Sequence, residues 1–276
     1  MGRDSSKIVD CINNIIVADL SKYSAVRTIF CVGSMSKTDY VFRKNNDYDI
    51  RILVSEISDA ILEATNRALN KCVDAIKKYS ELEVSYSCMV GPVRFISRNN
   101  KDSLLIHCLL MTENALQDLP IMHRLSYAKQ YRLLYGEDVL RHFTNLRLTL
   151  SGILNDSEGI DYCIQHLLAK VTELLYWEKI ENTYTLQKKI EGFTPESSYE
   201  FCMYSIKKST ANLCEYIIQE NIEEYLSDIS KMEDVIKPYP EFEEFVNDMD
   251  KYISATVNYL KKLYVFANKL KVTYES

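Results

Sequence analysis

The 276-residue chain predicts an α+β fold, a mixed sheet followed by an all-α helical bundle. Three observations lead there. Strand-like runs are confined to the part before about residue 120 and alternate with helical periodicity. Beyond that point the strand signal gives way to apolar residues at helical spacing. A polar linker, Leu154–Gly159 (LNDSEG), stands between the two regimes. Layers of this kind are the economical ways to bury one face of a sheet or one stripe of a helix. The expected division is an α/β domain over 1–150 and a helical bundle over 151–276.

The elements follow in order. Residues 5–20 form a helix, with Ile8, Cys11, Ile12, Ile15 and Ile16 on one face and Asp4 or Ser5 as its cap. A short strand, Ile29–Val32, ends at Gly33-Ser34. Asp47-Tyr48-Asp49-Ile50 lies in a second strand. A long amphipathic helix carries Ile57, Ile61, Ala64, Ala68, Cys72 and Ile76. Glu83–Val90 is a third strand, broken at Gly91-Pro92 and extended by Val93–Ile96. Ser103–Thr112 is a fourth, apolar on both faces and therefore central. Leu125–Leu134 continues as a helix, with Gly136 as its C-cap. In the second half one helix runs from Ile160 through Val171, Leu174 and Leu175. Another starts at Thr194-Pro195, and a last long one carries Phe242, Phe245, Met249, Ile253, Val257, Leu260 and Tyr264. The tyrosines of these helices are read as bundle packing.

Composition narrows the function classes. With 47% hydrophobic and 26% charged residues the chain is of ordinary globular type. Nothing approaches the ~18 uninterrupted apolar residues of a membrane span. The N-terminus lacks a signal-peptide core, and Gly2 fits a myristoylation pattern only loosely, so a cytoplasmic protein is expected. The eight cysteines show no CxxC spacing and sit at apolar positions, as buried thiols do in a reducing compartment. Charge is uneven. Residues 1–150 hold 20 Lys+Arg against 17 Asp+Glu, and residues 151–276 hold 13 against 22. An acidic second half argues against a long nucleic-acid groove. It suits a cationic small molecule if Glu220–Asp228, Glu233–Asp234 or Glu241–Asp250 lines a cleft; a solvated outer face is the alternative.

The chemistry concentrates in Ile29–Val54. Side chains alternate along a strand, so Asp47, Asp49 and Arg51 share one face and Tyr48, Ile50 and Ile52 the other. Two carboxylates ~6.6–7 Å apart on one strand face repel unless a cation sits between them. Mg2+ commonly takes one or two carboxylates together with substrate phosphates. Gly33-Ser34 supplies the other half, a turn where backbone N–H groups can approach a phosphate.

A strand, Gly-Ser, a helical turn and Asp-x-Asp on the next strand together resemble the signature of the polymerase-β-like nucleotidyltransferase superfamily. Leu134-Tyr135-Gly136 after a basic helix resembles a turn common in antibiotic-modifying members. The order of sheet core and helical bundle resembles kanamycin-type and streptomycin-type adenylyltransferases. The resemblance is specific over about residues 25–55, weaker to 140 and architectural beyond. It implies a mixed-sheet nucleotidyltransferase core, with Gly33 and Ser34 holding the triphosphate and Asp47 and Asp49 holding Mg2+.

Further candidates follow from position. Lys37 is the nearest fixed cation for a β- or γ-phosphate. The superfamily usually adds a third carboxylate on a neighbouring strand, and here His107 occupies about that place. His107 is a candidate ligand or general base, with a satisfied core histidine as the alternative. Glu113, past the strand end, is a second candidate base and Glu83 a third. Lys170 is placed to reach a triphosphate across the interdomain cleft, or to be simply solvated. There is no P-loop, GxGxxG, HExxH or zinc-like histidine spacing. The second half has no arginine after Arg147 and so lacks the Arg-x(4–6)-His ribonuclease motif.

The expected activity is Mg2+-dependent transfer of NMP from an NTP, ATP first, to a hydroxyl of a small molecule, an aminoglycoside-like one first. A toxin-like enzyme acting on tRNA or protein, and a nucleotide-binding protein without catalysis, remain open. So does a homodimer.

Overall fold

The computed structural model describes residues 2–37, 45–78, 80–88, 103–237 and 239–274. A five-stranded mixed sheet has the order β3-β4-β2-β1-β5, formed by Glu83–Ser87, Ser103–Thr112, Asn45–Val54, Val26–Val32 and Tyr131–Gly136. β2 runs parallel to β4 and antiparallel to β1. β3 is parallel to β4, and β5 closes the other edge antiparallel to β1. The register sets Asp49 between Val32 on β1 and His107 on β4.

Strand alternation sorts the two faces of this sheet. Ile29, Cys31, Ile50, Ile52, Ile106 and Cys108 look toward α1 (Gly2–Leu20) and α2 (Asp59–Lys77), forming one buried core. Ser58 caps α2 through the Ile61 N–H. On the opposite face Phe30, Val32, Leu109 and Met111 pack with Leu116, Ala128, Leu140 and Phe143. The polar residues Asp49, Arg51 and His107 interrupt this second face. β4 is buried from Ser103 to Met111, as its apolar run on both faces requires.

The remaining helices are α3 (Glu113–Gln117), α4 (Ile121–Lys129), α5 (Leu150–Asn155), α6 (Ile160–Ala169), α7 (Pro195–Gln219), α8 (Leu226–Glu233), α9 (Phe242–Asn247) and α10 (Met249–Tyr274). α7 begins at Thr194-Pro195, with Thr194 and Ser197 in a reciprocal cap. The helical core joins Phe201, Leu213, Ile217, Val257, Leu260 and Leu263. It also takes in Met122 and Leu125 from α4, so the two halves of the chain interlock.

Several expectations need correction. α1 starts at Gly2, placing Asp4 and Ser5 inside the helix rather than at its cap. The helix expected over Leu125–Leu134 stops at Lys129, where Gln130 turns to an extended φ of −144°. Tyr131–Gly136 then becomes the edge strand β5. Gly136 is therefore not a helix cap. It has φ +83°, and a Cβ there would lie 1.9 Å from the Arg27 carbonyl oxygen of the neighbouring strand. The helix expected through Val171–Leu175 ends at Ala169. A hairpin follows, β6 (Val171–Ile180) and β7 (Thr183–Gly192). Val171, Leu174 and Leu175 continue a helical spacing by coincidence. The β-branched and aromatic content of the segment, with Glu181 in the left-handed region at the turn, favours the hairpin. The third strand is described as far as Ser87, and the expected break at Gly91-Pro92 and the extension over Val93–Ile96 lie outside the described residues. None of the eight cysteines is disulfide-bonded. No helix among the described residues is long and apolar enough to cross a membrane.

Candidate active site

A cavity of about 560 Å³ lies between the sheet and the helices. Its sheet wall is made by Val32, Gly33, Asp47, Asp49, Arg51 and His107. Its helical wall comes from Met122, His123, Ser126 and Tyr127 on α4, and from Glu200, Met203, Tyr204, Lys207, Lys208, Ala211 and Asn212 on α7. The α7 residues recur every three to four positions and so form one helix face. Glu158, just before α6, completes the wall.

Gly33 ends β1 with φ 77° and ψ −164°, a region that L side chains rarely adopt. A Cβ there would sit 3.3 Å from Asp49 Oδ2, so glycine both permits the turn and keeps space beside the carboxylate. The following 3-10 turn, Ser34–Ser36, is held by Ser36, whose hydroxyl donates to the Gly33 carbonyl at 2.8 Å.

Asp49 is nearly buried and tightly held. Its Oδ1 lies 2.9 Å from His107 Nδ1 and accepts from Arg51 Nη2 at 3.2 Å. Arg51 is 2% exposed. It donates to the Ile50 carbonyl at 3.0 Å, the His107 carbonyl at 3.3 Å and the Tyr127 hydroxyl at 3.1 Å, and its guanidinium carbon lies 5.3 Å from the centre of the Tyr127 ring. Burial works against the Arg51 charge. Tyr127 and Asp49 outweigh it and keep the guanidinium protonated beyond its ordinary range. Asp47 is half-buried on the same strand face, two residues away.

Across the cavity Glu158, His123, Lys208 and Tyr204 form a second polar cluster. Glu158 Oε2 lies 2.8 Å from His123 Nε2 and also accepts from Lys208 and Tyr204. Lys208 Nζ is 2.7 Å from His123 Nε2. Burial would raise the Glu158 pKa, but His123 and Lys208 hold its carboxyl well below the usual range. Burial first, and then the charge of Lys208, lower the pKa of His123.

The structure thus brings Gly33, Asp47, Asp49 and His107 to one cavity. Ser34 and Lys37 are exposed just beyond Gly33 and do not line it. Glu113 is exposed in the first turn of α3, which Thr112 caps, and is also outside the cavity lining. Lys170 is the left-handed C-cap of α6 (φ 54°) and pairs with Asp250 at 2.7 Å, in a separate cleft between α6 and α10. Its place in the Asp49 cavity is filled by Lys207 and Lys208. Glu83 begins the edge strand β3. The acidic clusters Glu220–Asp228, Glu233–Asp234 and Glu241–Asp250 contribute nothing to the cavity wall; its carboxylates opposite the sheet are Glu158 and Glu200.

Sequence reasoning missed Tyr127, Glu158, His123, Tyr204 and Lys208. The lysine pair 207–208 on a largely apolar helix was a usable signal. Nothing local marks Glu158 and His123, which meet across 35 positions.

No family model matches the chain, and no curated protein matches it. The mixed sheet is the core layout that the resemblance to polymerase-β-like nucleotidyltransferases implied. Solved structures similar to this chain include the spectinomycin adenyltransferase AAD(9) from Enterococcus faecialis with ATP and spectinomycin. It is 11% identical, over 92% of this chain and 98% of that one, with a TM-score of 0.41. A toxin-antitoxin complex with AMP-PNP is 16% identical over 48% and 79% of the two chains, at a TM-score of 0.27. A Shewanella oneidensis complex of a tri-AMPylated HEPN toxin with its MNT antitoxin is 16% identical over 58% and 89%, at 0.25. At these TM-scores they are similarities of outline, and the functional assignment stands on the residues of the site.

Proposed function

We propose that the protein is a nucleotidyltransferase that moves NMP from an NTP, ATP first, to a hydroxyl of a small molecule held between the sheet and the helices. The observation that carries this is the pair Asp47 and Asp49 on one strand face, beside the left-handed glycine turn, in a cavity of about 560 Å³. Such a volume suits a nucleotide with a compact acceptor. The division into a nucleotide-handling part (1–150) and a helical part (151–276) belongs to the same proposal.

The donor set fits one Mg2+. Asp47 and the Oδ2 side of Asp49, turned toward Gly33, would hold it together with phosphate oxygens. When bound, the ion supplies charge neutralisation at the phosphates and makes the acceptor hydroxyl more acidic. Nucleotidyl transfer otherwise asks the protein for positioning and electrostatics. His107 fixes the orientation of Asp49 through Oδ1, as outer-shell groups fix metal ligands. Lys207 and Lys208 on α7, with Ser34 and Lys37 at the rim, are the groups for the triphosphate tail. Glu158 and Glu200 face the acceptor space, with Glu158 the candidate proton acceptor once Lys208 turns to phosphate.

The test is Asp47→Asn and Asp49→Asn, separately. Each should lower Mg2+-dependent pyrophosphate release by about 10³-fold or more, several kcal/mol of charge stabilisation. Full activity in both defeats the assignment. A second reading, a nucleotide-binding protein without catalysis, is favoured by one observation: His107 and Arg51 stand against Asp49, where the superfamily usually has a third carboxylate. Calorimetry with each NTP, alongside turnover against aminoglycosides, lincosamides and tRNA, separates the two. The preference for an aminoglycoside now has no support from the acidic clusters, since none lines the cavity. Equal drug susceptibility of hosts expressing wild type and Asp49→Asn would exclude that acceptor class alone.

A further inference from the structure

We propose that Tyr204 is itself an acceptor of nucleotidyl transfer, so that with no small-molecule hydroxyl bound the chain places NMP on its own α7. The proposal rests on the nucleotidyltransferase reading and adds a modification site to it. A hydroxyl becomes a nucleophile when a general base lies within hydrogen-bond reach and a third group orients that base. Tyr204 has both. Its hydroxyl donates to Glu158 Oε2, the oxygen that also lies 2.8 Å from His123 Nε2. Lys208, one turn further along α7, donates to the Tyr204 oxygen and to Glu158, with its Nζ 4.9 Å from the centre of the Tyr204 ring. Nucleophile, base and orienting groups all line the cavity whose sheet wall carries Asp47 and Asp49.

The cavity wall carries two other side-chain hydroxyls, those of Ser126 and Tyr127. Neither is hydrogen-bonded to a carboxylate among the described residues, and the Tyr127 oxygen accepts instead from Arg51 Nε, a permanent cation that draws charge away from it. Burial and the adjoining Glu158 push the Tyr204 phenol well above its ordinary range, so at neutral pH it is a hydroxyl and loses its proton only as it attacks. The step balances. The bond from Tyr204 Oη to the α-phosphorus forms as the bond from that phosphorus to the bridging oxygen of the β-phosphate breaks. Pyrophosphate leaves with that electron pair, and the phenolic proton passes to Glu158. Lys208, set against both oxygens, offsets the charge that develops between them. The AMP so placed fills the acceptor side of the cavity, and the modified chain is closed to further transfer until pyrophosphate reverses the step.

The experiment incubates the chain with Mg2+ and ATP labelled at the α-phosphate, with no other acceptor, and reads it by intact mass and peptide mapping. The expected result is one AMP per chain, on the peptide that holds Tyr204, at a rate independent of protein concentration. The link should be an acid-stable phosphodiester, unlike a phosphoramidate on Lys208. ATP labelled at the γ-phosphate should leave no label, and Tyr204→Phe, which keeps the ring, should lose it. Label on Ser126, Tyr127 or Lys208, a rate that rises with protein concentration, or full labelling of a folded Tyr204→Phe overturns the proposal. The wild-type peptide map decides the site even where the variant does not fold. Pyrophosphate release against aminoglycosides, lincosamides and tRNA is measured in parallel. Release without label on the chain defeats this proposal alone, whereas neither release nor label defeats the nucleotidyltransferase reading with it.

Discussion

Glu158 shows how much one side chain can depend on its neighbours. It sits at φ 66°, and one of its oxygens serves Lys208, His123 and Tyr204. Lys208→Met would leave a mostly buried carboxylate without its cation. The expected loss is about 3 kcal/mol, the low end for stranding a buried charge, read from denaturant midpoints. Acid should act in two steps. His123 has its pKa lowered from an ordinary 6.5. The unfolded chain therefore binds its proton first, and stability falls as pH drops from about 6.5 to the lower folded value. Glu158 is depressed from 4.5, so its contribution is complete above 4.5 and lost as pH falls through its folded value. His123→Gln should abolish the first step in unfolding curves recorded across pH 7.5 to 5; an unchanged first step would refute the assignment. At this scale the sequence was legible where function is local. Gly33, Asp47, Asp49 and Arg51 lie on two adjacent strands, and strand alternation alone puts the last three on one side. His107 was also placeable, because β4 is plainly an interior strand. Glu158, His123 and Lys208 were not, because they come from a turn and two helices far apart in the chain and only packing brings them together.

Among the elements, β5 is the instructive failure. Leu125 to Leu134 keeps a helical rhythm, yet the chain leaves the helix at Gln130 and pairs with β1. What decides is tertiary: β1 has an open edge, and Gly136 lets β5 approach Arg27 where any side chain would collide. Gly136→Ala should cost more than about 1 kcal/mol from its positive φ alone, with the collision adding to that. A midpoint unchanged within error in thermal melts would show that the edge can shift freely. β6 and β7 were hidden in the same way. A two-stranded ribbon has little burial of its own, so its sequence carries a weak alternation that a preceding helix can overwrite. α7 was legible to the residue, because Thr194-Pro195 is a start signal that acts locally.

For the whole molecule, the order of sheet then helices was readable from where strand signals stop. The interlocking of the halves was not, because it comes from α4, a first-half helix that gives Met122 and Leu125 to the helical core. The hairpin strengthens this from the other direction. Trp177, within β6, donates its indole N–H to the Leu110 carbonyl of β4 at 2.9 Å, and Lys179 and Tyr184 both reach Asp59 at the start of α2. A ribbon rooted in the second half thus clasps the first half's interior strand. Its consequence is cooperativity. Neither half can melt while its clasp partner stays folded, so calorimetry should show a single transition with equal van't Hoff and calorimetric enthalpies. Trp177→Ala should broaden or split it, and the slowest-exchanging amides, those of β4, should begin to exchange by a route that no longer requires the helices to open.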